Sequence, residues 1–87
     1  MKLGHALRAA RKRAKMTQDE AAHWAEVSRA HISNLETQDH EPRISTLRRM
    51  ADVYGCTVSM LLGEEPMRMD CLTRRERAIV ELMRSEP

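Results

Sequence analysis

The sequence has no phenylalanine, and Trp24 and Tyr54 are its only aromatics, 2% of 87 residues. Platforms that bind single-stranded nucleic acid stack bases on aromatic side chains, so the composition argues against that class. A core with so few rings must come from Leu, Ile, Val, Ala and Met, which suits packed helices better than a sandwich of aromatic-rich strands. Three glycines and three prolines are too few to punctuate a multi-turn all-β chain. The two cysteines, Cys56 and Cys71, form no C-x-x-C pair and read as reduced thiols of a cytosolic protein. No apolar run approaches the about 20 residues a membrane span needs, and even Val58 to Leu62 is broken by Ser59. Positive charge opens the chain without an apolar stretch behind it, so no secretory signal and no membrane role are read, and the expected location is the cytoplasm. His5, His23, His31 and His40 lack metal-ligand spacing, and there is no Gly-rich phosphate loop and no Cys–His pairing. The expectation is therefore no metal, no cofactor and no catalysis.

What remains is a chain that is 41% hydrophobic and 32% charged, suited to one small folded domain. Its net charge of +2 says little, but the distribution is uneven. Residues 1–16 carry Lys2, Arg8, Arg11, Lys12, Arg13 and Lys15 with no acid, whereas residues 17–62 are rich in Asp and Glu. A basic front on a nearly neutral domain fits a polyanion surface, and it equally fits a solvated helix face.

Hydrophobic periodicity predicts five helices before the tail, at about residues 4–14, 18–25, 29–37, 45–54 and 58–62. Thr17-Gln18-Asp19-Glu20 has the spacing of a capping box, in which the hydroxyl accepts from the third helical N–H and Glu20 reaches back. Ser28 and Thr57 are predicted caps for the third and fifth helices, and Ser45 or a residue just before it for the fourth. Gly55 and Gly63 are expected stops. In the third helix, steps of 100° bury Ile32 and Leu35 and turn Ala30, Ser33, Asn34 and Thr37 outward, with Arg29 on the flank. That outward face is short, polar and nearly free of acids, unlike an ordinary solvated face of Glu and Lys.

The ordered set of Leu7-Arg8-Ala9-Ala10-Arg11, Met16-Thr17-Gln18, Ala22, Val27-Ser28, Ile32-Ser33-Asn34-Leu35-Glu36, Pro42, Leu47, Met50-Ala51, Tyr54-Gly55 and Leu61-Leu62 resembles a known family. It is similar to the helix-turn-helix DNA-binding domain of the phage lambda and 434 repressor and Cro class, the XRE family. The resemblance implies an all-α, five-helix lambda-repressor-like domain over residues 1–63 that binds double-stranded DNA as a homodimer, with the third helix in the major groove. By position, it implies that Arg29, Ala30, Ser33 and Asn34 read base edges. Arg29 suits a guanine edge, Asn34 an adenine and Ala30 a thymine methyl. It implies phosphate contacts from Gln18, Thr37 and Arg43. His31 reads either as a packing or locally bonded residue or as a backbone contact. Arg11 and Glu36 are implied to form a buried salt bridge.

The sequence also departs from the family. Glu26 stands where a turn glycine is usual, so a bulkier residue must adopt or avoid positive φ there. Ala21 and Ala25 replace larger aliphatics, with Trp24 a candidate to refill the volume. Gln38 replaces a common glycine, and Asp39 and Glu41 put acids in a loop expected to approach phosphate.

Residues 64–72 read as a linker. Over residues 73–87 an extra C-terminal helix is expected, opened by a second capping box, Thr73-Arg74-Arg75-Glu76, with Ala78, Ile79, Leu82 and Met83 as its apolar stripe. An isolated helix of this length is marginal in water, so the stripe must pack on the chain's own core or on a second copy. A dimer or partner contact is the favoured reading. The function expected from all this is a transcriptional regulator, of phage or prophage repressor type, that reads a palindromic operator in a bacterial or phage-infected cell. The alternatives are an antitoxin that also binds a toxin, a restriction-modification controller, or an interaction module that has lost DNA binding.

Overall fold

The computed structural model describes residues 3–37, 42–68 and 71–84, and the Gln38, Asp39 and Glu41 departures lie outside the described residues. The described residues form six helices and no strand: α1 (Leu3–Arg13), α2 (Gln18–Ala25), α3 (Arg29–Thr37), α4 (Ile44–Tyr54), α5 (Val58–Leu61) and α6 (Arg74–Arg84). The fold class is thus all-α, a small helical domain with an extra C-terminal helix.

Apolar stripes at helical spacing bring α1 to α5 around one core, in which Leu7, Ile32, Met50, Val53 and Leu61 are the largest fully buried side chains. Small residues set the close approaches. A Cβ on Gly4 would lie 2.5 Å from the Glu36 carbonyl oxygen, so the start of α1 rests directly on the end of α3. Ala21, Ala22 and Ala25 are all buried on α2, and Trp24 lies half-buried against the core with its ring edge on His23 (centroids 5.1 Å apart, 83° between planes).

The helix starts follow local side-chain chemistry. Glu20 N–H donates to Thr17 Oγ1 (3.1 Å) and Thr17 N–H donates to Glu20 Oε1 (2.9 Å), a complete capping box. Ser28 Oγ accepts from His31 N–H and Thr57 Oγ1 from Met60 N–H, each at 3.1 Å. At α4 the N-cap falls just before Ser45, the second of the two alternatives. Ser45 lies within the helix, and Arg43 holds the N-cap conformation with no side-chain cap bond. This helix starts without a cap because its buried face (Leu47, Met50, Ala51, Val53 and Tyr54) anchors it. α5 also stops one residue short of the expected Leu62, which serves as its C-cap.

Four helices end in the same way, with a residue after the last turn in the left-handed region. These residues are Lys15 and Glu26, both at φ 59°, Gly55 at φ 72° and Gly63 at φ 80°. After α2, Glu26 N–H donates to the His23 carbonyl (3.3 Å) and Val27 N–H to the Ala22 carbonyl (3.0 Å), which is the Schellman pattern. Glu26 therefore adopts the positive φ that glycine would supply, at a cost of about 1 kcal/mol.

The segment before α6 is tied down. Arg13 Nη1 donates to the Met67 carbonyl (3.2 Å), and Met67 lies half-buried against the core. At Gly55 a Cβ would come within 2.6 Å of the Cys71 carbonyl oxygen, so this glycine answers both to its backbone conformation and to the chain crossing over it. Thr73, 2% exposed, then forms a second capping box with Glu76 (2.9 and 3.1 Å). α6 has no buried residue of its own, and arginines hold it to the core. Arg74 Nη2 and Arg77 Nη2 reach the two carboxylate oxygens of Asp52 at 2.8 and 2.7 Å, and Arg75 Nη1 reaches Glu20 Oε2 at 2.8 Å. Ala78 is half-buried, whereas Ile79, Leu82 and Met83 are 52%, 70% and 73% exposed.

Candidate nucleic-acid interface

Each turn of α3 divides cleanly. Ile32, Leu35 and Glu36 point into the protein, while Arg29, Ala30, Asn34 and Thr37 are exposed and Ser33 is half-exposed. Glu36 is the helix's one acid, so the outward face carries none. Four residues of differing chemistry thus stand side by side on a convex helix surface. Arg29 offers a planar fork of donors, Asn34 an amide that donates and accepts, Ser33 a hydroxyl and Ala30 a methyl. Arg29 also lies 3.8 Å from Asp19 Oδ1, but both side chains are more than half exposed, and such a pair holds the guanidinium only weakly.

Beneath this face lies a buried charge pair. Arg11 Nε donates to Glu36 Oε2 at 2.7 Å and Arg11 Nη2 to Glu36 Oε1 at 3.1 Å, with side-chain exposures of 11% and 3%. Arg11 Nη1 donates further to the Met16 carbonyl (2.9 Å). The bond to the Glu36 carboxylate outweighs burial and raises the Arg11 pKa, so the guanidinium stays charged. Burial first, and then the Glu36 charge, push the Tyr54 phenol well above its ordinary range. Tyr54 is therefore neutral and Arg11 positive around neutral pH.

Gln18 sits at the start of α2, half-buried, and its Nε2 donates to Glu36 Oε1 at 3.3 Å. Its amide is thus directed inward to the buried pair, while the first turn of α2 meets the solvent around it. The Thr37 hydroxyl turns back to the Ser33 carbonyl (2.8 Å), which leaves its oxygen as an acceptor. Arg43 is exposed at the start of α4. His31 is exposed rather than turned toward the core. It borders a shallow depression between α3 and α4, with Val27, Ser45, Thr46, Arg49 and Met50 around it. Arg49 Nη1 donates across that gap to the Ala25 carbonyl, the last of α2 (3.4 Å). The candidates fall in two groups: Arg29, Ala30, Ser33 and Asn34 share one helix face, and Gln18, Thr37, Arg43 and His31 lie at ends or flanks of three different helices.

Arg75 escaped the sequence reading. Its Nη2 donates to the carbonyls of Ala14 (3.1 Å) and Lys15 (3.3 Å) in addition to the Glu20 ion pair. The capping box of α6 placed it at a helix start, but nothing local in the sequence points to partners some sixty residues earlier.

The chain is 36% identical over 67 residues to the immunity repressor protein of Bacillus phage phi105, covering 77% of this chain and 46% of that protein. It is 34% identical over 65 residues to the HTH-type transcriptional regulator ImmR of Bacillus subtilis strain 168, covering 75% of this chain and 51% of that protein. It thus spans about half the length of the curated relatives it matches. No helix among the described residues is long and apolar enough to cross a membrane. With residues 2–61 matching the helix-turn-helix domain, a span that contains α1 to α5 and the whole of the α3 face, the chain belongs to the helix-turn-helix domain family.

Proposed function

We propose that this chain is a sequence-specific, double-stranded DNA-binding transcriptional regulator of the phage-repressor type, acting in the cytoplasm without catalysis and reading a palindromic operator as a homodimer. The observation that carries the reading is the exposed, acid-free face of α3, mounted on the buried Arg11–Glu36 pair. In it, Arg29, Ala30, Ser33 and Asn34 read base edges in the major groove, and Gln18, Thr37, Arg43 and His31 meet the phosphates. The names of the two relatives, an immunity repressor and a transcriptional regulator, support the same class. Two such helices one DNA turn apart, about 34 Å, require a two-fold dimer. Ile79, Leu82 and Met83 supply exposed apolar area for it, with Ala78 at its edge.

Selection of bound duplexes from a random pool tests the reading. An enriched palindrome with half-sites one turn apart is the expected result, and recovery of no sequence above background overturns it. Removing everything after Glu65 is expected to lower the dimer fraction in sedimentation at matched concentration. An unchanged fraction would reassign the α6 stripe to another protein, of which a toxin is the leading class.

A further inference from the structure

We propose that Arg75 is a positioning residue for DNA binding, fixing the α1–α2 turn so that the start of α2 is held where a phosphate must meet it. The proposal rests on the DNA-binding reading above. Its starting point is where the three contacts of this one guanidinium fall. Nη1 reaches the Glu20 carboxylate at 2.8 Å, and Nη2 reaches the carbonyls of Ala14 and Lys15 at 3.1 and 3.3 Å. Those two carbonyls belong to the turn that ends α1, where Lys15 takes a left-handed conformation that a side chain disfavours. Glu20 is the residue whose other carboxylate oxygen closes the capping box of α2 by accepting Thr17 N–H. One side chain from α6 therefore bridges both sides of a turn that includes Met16, Thr17 and the candidate phosphate contact Gln18.

The arrangement suits a clamp better than a direct contact. The guanidinium spends donors on three protein oxygens at fixed angles, which only the planar fork of arginine satisfies. A cation on the turn that follows α1 also meets the negative end of that helix. Arg74 and Arg77 hold α6 to Asp52 on α4, so the helix is anchored independently of the turn it braces.

The test uses the full chain and three variants: Arg75→Lys, Arg75→Gln and Arg77→Ala. Far-UV circular dichroism establishes that each is folded. Amide exchange is read at Lys15, Met16 and Glu20, whose N–H groups are hydrogen-bonded in this turn. Affinity for a selected duplex is measured across salt concentrations. A positioning role predicts that Arg75→Lys and Arg75→Gln both speed exchange at those amides and both weaken binding about tenfold, which corresponds to about 1.4 kcal/mol. The slope of log affinity against log salt stays at the wild-type value, because no phosphate contact has been removed. Arg77→Ala stays within about twofold of wild type, since it removes a partly exposed pair and one bond to the Asp52 carbonyl while Arg74 still holds α6 to Asp52. Wild-type affinity in Arg75→Lys together with a slope reduced by about one in Arg75→Gln overturns the proposal, because Arg75 would then touch phosphate itself. Unchanged exchange in both Arg75 variants also overturns it, as does an Arg77→Ala loss as large as theirs. If the wild-type chain binds no duplex, the reading above fails and the DNA role of Arg75 with it, while the exchange measurements still judge the clamp.

Discussion

Replacing Arg11 by alanine is the most revealing single perturbation of this fold. The Glu36 side chain is 3% exposed and receives its two best hydrogen bonds, at 2.7 and 3.1 Å, from that guanidinium. Without Arg11 the carboxylate keeps the Gln18 amide at 3.3 Å and no bulk water. Removing one member of a buried pair costs on the order of 3–5 kcal/mol, and the lost bond from Arg11 to the Met16 carbonyl adds to it. Glu36→Ala is expected to cost somewhat less, about 2–3 kcal/mol, because a long arginine stem can swing its head toward water. Small domains hold about 5–15 kcal/mol in total, so either change consumes much of the margin. In urea, a loss of about 3 kcal/mol with a slope of about 1 kcal/mol per molar moves the midpoint by roughly 3 M, an effect far-UV circular dichroism reads easily. The double alanine variant removes both charges at once and is expected to lose about 2 kcal/mol less than the sum of the singles. Strictly additive losses, or single losses below about 1 kcal/mol, would refute the argument that this pair is a buried unit.

Other consequences follow from named contacts. Glu26→Gly is expected to raise stability by about 0.5–1 kcal/mol, because glycine takes the left-handed conformation without the Cβ penalty; a lowered urea midpoint would show that the glutamate side chain earns its place. At Asp52, burial raises the pKa but the hydrogen bonds of Arg74 and Arg77 outweigh it and the net shift is downward, and at Glu20 the bonds from Thr17 and then the Arg75 charge lower it. Both groups therefore add stability that is full above the ordinary carboxylate range and is lost as pH falls through their lowered folded values, so α6 should loosen in acid before the core unfolds, which amide exchange along α6 at stepped pH would detect. Asn34→Ala and Arg29→Ala should each weaken binding to a selected duplex by about 1–3 kcal/mol and relax preference at one base pair, whereas Gln18→Ala should weaken all sequences alike; equal losses on selected and random DNA would make Arg29 a backbone contact. Burial pushes the Cys56 thiol up to about 11 while Cys71 is exposed, so mild alkylation near pH 8 followed by mass spectrometry should label Cys71 more than tenfold faster.

Those features of the fold that rest on short-range chemistry were legible in the sequence. Thr17, Ser28, Thr57 and Thr73 cap helices because a hydroxyl reaches an N–H three residues on, whatever the rest of the chain does. The buried stripes of α1 and α4 follow from period alone. The choice of Arg43 over Ser45 at the start of α4 was not legible, because the packing of α4 makes a side-chain cap dispensable. The exposure of His31 depends on how α4 lies beside α3, which no local pattern encodes. The arginines of α6 read as ordinary charges in a helical first turn, and their partners Asp52 and Glu20 lie 22 and 55 residues away. Gly55 read as a helix stop, and its second duty, admitting the Cys71 carbonyl, depends on the same long-range docking.

The same docking also shapes the field a polyanion would meet. Acidic residues of the core would offset the basic front of the chain if they stood free. Instead Glu36 is buried against Arg11, Asp52 is bracketed by Arg74 and Arg77, and Glu20 is matched by Arg75. Each pairing places a cation within about 3 Å of the acid, well inside the screening length of about 8 Å at physiological salt, so the pair acts at a distance as a dipole rather than a charge. Meanwhile Arg8, Lys12 and Lys15 stand exposed on α1 and at its end, and Arg29 is exposed on an α3 face that carries no acid. With these three acids matched by arginines, the exposed cations weigh more in the field a polyanion meets than the net charge of +2 suggests. On this argument the tail contributes to polyanion attraction without touching the polyanion.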